Sequence, residues 1–179
     1  MTFLPDDYTV PSAANGYMKL KQGENKFRVL SSAILGVEFW TNDNKPVRFR
    51  QEEKCEMKPE YKNGPKHFWA FCVWNYQEEQ VQVFEITQKT IMNIISGLAR
   101  NAKWGSPFDY DLVINREGEN LETVYTVTPD PKEKLDPEIQ KQYDSMTINL
   151  EALYDGDDPF ANVSEDKKEL DDFLEDVSN

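Results

Sequence analysis

From residue 17 the chain alternates apolar and polar positions in short runs. Met18 and Leu20 oppose Tyr17, Lys19 and Lys21, and Phe27 and Val29 oppose Lys26 and Arg28. Period two with Gly23-Glu24-Asn25 between the runs predicts a hairpin. Val37, Phe39 and Trp40 continue the strand pattern. Residues 41–66 interrupt it. They are polar, mixed in charge and punctuated by Pro59, Gly64 and Pro65, which predicts a long loop with a short helix around 50–57. A second hairpin is predicted over 66–77 and 80–87, turning at Gln77-Glu78-Glu79. A third is predicted over 109–116 and 121–128, turning at Glu117-Gly118-Glu119-Asn120. Residues 87–104 carry the clearest helical period, with Ile91, Ile94, Ile95, Leu98, Ala99 and Ala102 on one stripe. Thr87 is the expected N-cap, and Trp104-Gly105-Ser106-Pro107 the stop. Asp136 followed by Pro137 predicts a second helix start, with a thin stripe of Ile139, Tyr143, Met146 and Leu150.

The order is therefore strands, one helix, strands, and a helical end. It predicts a mainly β fold: an OB-fold-like antiparallel barrel with one helix, about 87–104, between strand groups. A C-terminal helix and an acidic tail follow. Three parts are expected: a domain over 1–131, a helical extension over 132–154 and a flexible acidic tail over 155–179. The first 16 residues read as an arm.

Charge matters once it is located. The formal net charge is −13 over 179 residues. Residues 151–179 hold eleven acids and two bases, a net −9, whereas 1–150 hold 18 bases against 22 acids. A near-neutral body with a strongly acidic tail marks the tail as an interaction segment. Leu170, Phe173, Leu174 and Val177 recur there at helical spacing, so partner docking falls to Leu170, Phe173 and Leu174. The same polyanion is placed to compete with nucleic acid for the body's cations.

Some classes are disfavoured. No run approaches the ~18 apolar residues of a membrane span, and no leader-like N-terminal pattern is visible. Two cysteines and one histidine argue against a disulfide framework and against a four-ligand zinc site. No phosphate loop or dinucleotide fingerprint is present. No metal and no cofactor is expected.

The candidate chemistry lies in KHFWAFCVWNYQ, residues 66–77, five of which are aromatic. Phe68, Ala70, Cys72, Trp74 and Tyr76 share one strand face; His67, Trp69, Phe71, Val73 and Asn75 share the other. Every nucleobase has a π-face, so outward rings flanked by cations bind single strands without regard to sequence. Ala70 and Cys72 are small and of types commonly buried. That makes Trp69 and Phe71 the expected outward rings, with Trp74 and Tyr76 adding to them at the strand's end. A shift of one residue exchanges the two sets. Packing alone also accounts for aromatics in a strand. Lys19, Lys21, Lys26, Arg28, Arg48, Arg50 and Lys66 are the candidate phosphate ligands. Trp40 and Phe49 complete the set, the latter as one ring between Arg48 and Arg50. His67 reads as a surface side chain.

Three long segments carry a resemblance: KLKQGENKFRVL (19–30), FWAFCVWNY with VQVFEITQKTI (68–76 and 81–91), and WGSPFDYDLVINREG (104–118). In these the chain resembles the replication single-stranded DNA-binding proteins of tailed bacteriophages, over roughly residues 3–130. The resemblance implies an OB-fold without enzymatic activity, acting in phage DNA replication and recombination in the host cytoplasm. It implies an acidic C-terminal tail that contacts replication and recombination proteins. The final EDVSN departs from family tails that end on an aromatic residue. Self-association as a homo-oligomer is left open. Two other classes fit parts of the sequence. One is an acidic DNA-mimic inhibitor, on the net charge. The other is a metal-dependent nuclease using Glu85, Asp109 and Asp111.

Overall fold

The structure, a computed structural model, describes Phe3 and residues 16–160. It is mainly β, an antiparallel sheet of seven strands with few short helices. The strands are β1 (Gly23–Val29), β2 (Ile34–Trp40), β3 (Pro46–Arg50), β4 (Lys66–Asn75), β5 (Gln80–Ile86), β6 (Leu112–Glu117) and β7 (Val124–Pro129). Helix α1 (Lys89–Arg100) links β5 to β6, and α2 (Pro137–Asp144) follows β7.

The long β4 organises the sheet. One edge carries β5, in register from Trp69 opposite Ile86 to Asn75 opposite Gln80. The other edge carries β2 along its first half and β1 along its second. Thus β1 and β2 are two halves of one bent strand, joined at residues 30–33. At this bend the Leu30 N–H donates to the Cys72 carbonyl at 2.8 Å, and the Cys72 N–H donates to Ser31 Oγ, also at 2.8 Å. A serine side chain thus replaces the missing ladder carbonyl, so the buried amide keeps a partner. Beyond the bend the two halves diverge, with β3 pairing β2 and β6 pairing β1. β7 lies outside β6.

The main core lies between this curved sheet and α1. Phe27, Phe71, Val73, Phe84, Ile86, Leu112 and Ile114 meet Ile91, Met92 and Ile95 of the helix. Each fully buried side chain of this size contributes about 1.5–3 kcal/mol. Helix α1 is shorter than the stripe predicted. It begins after Gln88 and ends at Arg100. Asn101 Oδ1 accepts from the N–H groups of Lys103 and Trp104, drawing the chain out of the helix before the alanine stripe is used up. Helix α2 starts as expected, with Asp136 Oδ1 accepting from the Glu138 N–H at 2.9 Å and Pro137 in the first turn, a cap worth about 1 kcal/mol.

Several sequence expectations are corrected. Gly23-Glu24-Asn25 is not a hairpin turn but the start of β1. Gly23 does take a positive φ of 85°, and the buried Asn25 amide bonds the Lys21, Gly23 and Ile114 carbonyls. The local kink is real, but the strand follows it. Residues 17–20 form no strand; Gly16 and Met18 instead bond Val83 of β5 in parallel fashion. Residues 46–50 are strand β3 rather than loop, and 50–57 contain no helix. The rest of that segment folds back on β2, where Tyr61 stacks on Phe39 at 4.6 Å. No ladder among the described residues joins β7 to β5, so the sheet does not close into a barrel.

Candidate nucleic-acid interface

Strand register decides which face of β4 each ring takes. Phe27 stands opposite Asn75 and Phe84 opposite Phe71, so the face of Trp69, Phe71 and Val73 is the core face. Phe71 is buried and Trp69 half-buried against the core. The expectation that these two rings point outward is therefore reversed. The outer face carries Phe68, Ala70, Cys72 and Trp74, followed by Tyr76.

That outer face is covered too, by the segment after β7. Leu153 seals Phe68, Ala70 and Val83, with Ile148, Leu150, Tyr154 and Phe160 around it. Ile139 of α2 seals Trp74 and Val81, with Tyr143 and Met146 around it. Both faces of β4 are thus apolar because two separate elements cover them. Alternation in one strand cannot reveal a cover that lies some 70 residues further along the chain.

The same outer face gathers most of the candidate cations. Arg28 stands opposite Trp74, Arg48 opposite Glu38 and Arg50 opposite Gly36. Lys26 Nζ lies 5.0 Å from the Tyr76 ring centre, and the Arg48 guanidinium 5.8 Å from that of Phe68. Rings and cations alternate along the face, but Phe68 and Trp74 are buried beneath the C-terminal segment and Arg28 and Arg48 are largely buried.

Two of these cations serve the fold. Arg28 is 1% exposed. Its Nε donates to Asp111 Oδ1 at 2.7 Å, and its other nitrogens donate to the carbonyls of Phe108 and Glu133. The Tyr76 hydroxyl donates to the same Asp111 oxygen at 2.8 Å, and burial with this bond pushes the phenol far above its usual range. Arg48 donates to Glu38 at 3.1 Å and to Glu85 at 2.6 Å. Trp40 Nε1 donates to the other Glu38 oxygen at 2.7 Å. Glu85 is pushed up to about 8, chiefly by burial and by its contact with Glu38, against the pull of Arg48.

The remaining candidates are dispersed. Lys26 sits between Asp111 and Asp130, at 3.7 and 3.3 Å. Arg50 pairs with Glu53 and Glu151 and lies 4.4 Å from the Tyr154 ring centre. Lys21 pairs with Glu78 at 2.7 Å. Lys19 and Lys66 are exposed. Phe49 is on the core side of β3, edge-on to Phe39 at 5.9 Å, so it does not lie between Arg48 and Arg50 as a stacking ring. His67 is exposed at the start of β4, with Nδ1 2.9 Å from the Gly36 carbonyl. The tail residues Leu170, Phe173 and Leu174 lie outside the described residues.

The three carboxylates of the nuclease alternative are not brought together. Glu85 is held by Arg48, Asp111 by Arg28, and Asp109 is exposed on the short 3-10 turn Pro107–Asp109. Among the described residues no group of three or more His, Cys, Asp or Glu side chains is placed to hold a metal ion. Nor is any described helix long and apolar enough to cross a membrane.

Sequence reasoning missed Phe68, Glu38, Glu151 and Tyr154, and named Glu85 only as a metal ligand, not as a partner of Arg48. Glu38 had a signal: it alternates with Gly36 and Trp40 on a strand facing Arg48. Glu151 and Tyr154 had none, because their partners are about 100 residues away. Comparison of the chain with protein-family models, curated proteins and solved structures gave no match.

Proposed function

We propose that this chain binds single-stranded DNA without regard to sequence, as a replication protein of a tailed bacteriophage. It protects exposed strands during replication and recombination. The observation that carries the reading is a partly exposed ring under a cation on the outer face of the sheet, Lys26 Nζ 5.0 Å from the Tyr76 ring centre, with the partly exposed Arg50 farther along the same face. Stacking on such rings is worth ~1–3 kcal/mol per base.

The connectivity supports it. A bent first strand (β1 and β2), the hairpin β4–β5, helix α1, and the hairpin β6–β7 returning to β1 follow the strand order of an OB-fold. In that fold the second and third strands and the neighbouring loops bind oligonucleotides. Here those strands are β4 and β5, and their outer face is the one described. Strand β3 is an added edge. The barrel reading treats α1 and residues 16–18 as filling the gap between β7 and β5. The acidic tail docks replication and recombination partners, and competes with DNA for the same cations. No catalytic step and no cofactor belongs to this reading.

The test is a fluorescence titration of the full chain with poly-dT oligonucleotides of increasing length, at low and high salt. Tryptophan quenching that saturates, and weakens steeply with salt, is expected. Absence of both quenching and a gel shift at low salt overturns the reading, and is the outcome a DNA mimic would give.

A further inference from the structure

One cation on the outer face has a fuller set of partners than an exposed arginine needs. Arg50 ends β3 with its side chain 41% exposed. The Tyr154 ring centre lies 4.4 Å from its guanidinium carbon, and Glu151 Oε2 accepts from its Nη2 at 3.1 Å. One planar cation thus meets a ring and anions together, Glu53 Oε1 adding a second carboxylate at 3.3 Å. These are the two groups that a nucleotide offers, a base to stack and a phosphate to pair.

The surroundings fit the same pair of groups. The Tyr154 ring lies tilted against Phe68 at 6.2 Å. Its hydroxyl donates to the Leu35 carbonyl at 2.6 Å, a backbone acceptor at the rim where a base edge would find one. Both residues belong to the short 3-10 segment Leu150–Asp155. Its anchor is Leu153, buried between them on Phe68, Ala70 and Val83. Tyr154 and Glu151 flank that anchor, and Glu151 is 60% exposed. Their side chains can turn away while Leu153 stays seated, and an exposed ion pair resists little.

We propose that Arg50, with the Leu35 carbonyl and the Phe68 ring, forms a nucleotide subsite for single-stranded DNA. Tyr154 and Glu151 fill it in the free protein as stand-ins for base and phosphate. This rests on the DNA-binding reading above and goes beyond it, because it assigns one subsite and its internal competitor. The competitor belongs to the ordered body, not to the acidic tail.

A fluorescein-labelled dT oligonucleotide followed by anisotropy tests it on the full chain. Removing the competitor leaves a larger fraction of the seat free, so Tyr154→Ala should tighten binding about two- to fivefold. Glu151→Gln, at an exposed position, should tighten it in the same direction. Arg50→Ala should weaken binding, and adding Tyr154→Ala to it should give no further gain, because the two act on one seat. A loosened segment that merely uncovers the face would tighten binding equally with or without Arg50, and that result overturns the subsite. So does unchanged or weaker binding by both Tyr154→Ala and Glu151→Gln. If the wild-type chain binds no oligonucleotide, the DNA-binding reading itself fails, a distinct outcome.

Discussion

Arg48 and Glu85 meet at 2.6 Å across the sheet, and the same guanidinium holds Glu38 at 3.1 Å. Two carboxylates thus share one cation at a site where all three side chains are largely buried. Burial, together with a second carboxylate sharing the one positive charge, keeps Glu85 protonated up to about pH 8.

Stability should therefore depend on pH with a definite sign. The folded Glu85 binds a proton between its ordinary 4.5 and about 8, whereas the unfolded one has released it. The native state carries the extra proton, so stability is fullest below that window and falls as pH rises through it. Urea midpoints of the wild type should decline between about pH 5 and 8. Glu85→Gln, neutral at every pH, should flatten the decline. A Glu85→Gln profile that falls as steeply as the wild type would rule the shared proton out.

Asp111 is the anchor of the other buried cation, accepting from both Arg28 and Tyr76. Removing it leaves a guanidinium that is 2% exposed with carbonyl partners only. Asp111→Ala should cost about 3–5 kcal/mol in a urea melt. Glu53→Ala, which removes an exposed partner of Arg50, should cost less than about 1 kcal/mol. Similar losses from the two would contradict this ranking of the ion pairs.

Two glycines should respond to alanine with opposite signs. A Cβ at Gly36 would lie 2.1 Å from the Phe49 carbonyl oxygen and 2.9 Å from Phe68. The obstacle is a paired strand's backbone, so Gly36→Ala should destabilise by about 1–3 kcal/mol. At Gly97, inside α1, a Cβ meets nothing within 4 Å. Gly97→Ala should stabilise by about 0.5–1 kcal/mol through helix propensity. Thermal melts of both variants decide it, and stabilisation by Gly36→Ala would contradict the β2–β3 packing.

Removing the tail should leave DNA binding intact or strengthen it. The sequence alone suggested a cut at 155, but Phe160 packs on Gly16 and Tyr17. The cut that spares the body falls after Phe160. A large loss of affinity for dT oligonucleotides in the chain ending there would refute self-competition by the tail.

Much of the fold was legible because it was local. The hairpins over 66–86 and 112–128 announced themselves by alternation and turn residues. The Asp136-Pro137 helix start announced itself by its cap. Helix α1 was placed, though not its ends, since Asn101 took over the role assigned to the Trp104 stop. Strand β3 was hidden because Arg48 and Arg50 face Glu38 and Glu151, and polar strand residues paired with distant acids look like loop. The aromatic strand was legible, but which of its faces meets the main core was misread. Ala70 and Cys72 are indeed buried, but beneath the C-terminal segment instead of the main core, so the small-residue argument pointed to the wrong face.

Gly16 lies against the Phe160 ring so closely that a Cβ there would overlap it, and Tyr17 meets the same ring edge-on at 6.2 Å. Gly16 and Phe160, at the two ends of the described body, therefore lie side by side. A handle grafted at residue 16 would hang beside residue 160, where the acidic tail begins. Pull-down experiments meant to find tail partners should carry their handle elsewhere, in the exposed turn at Gln77-Glu78-Glu79 for example.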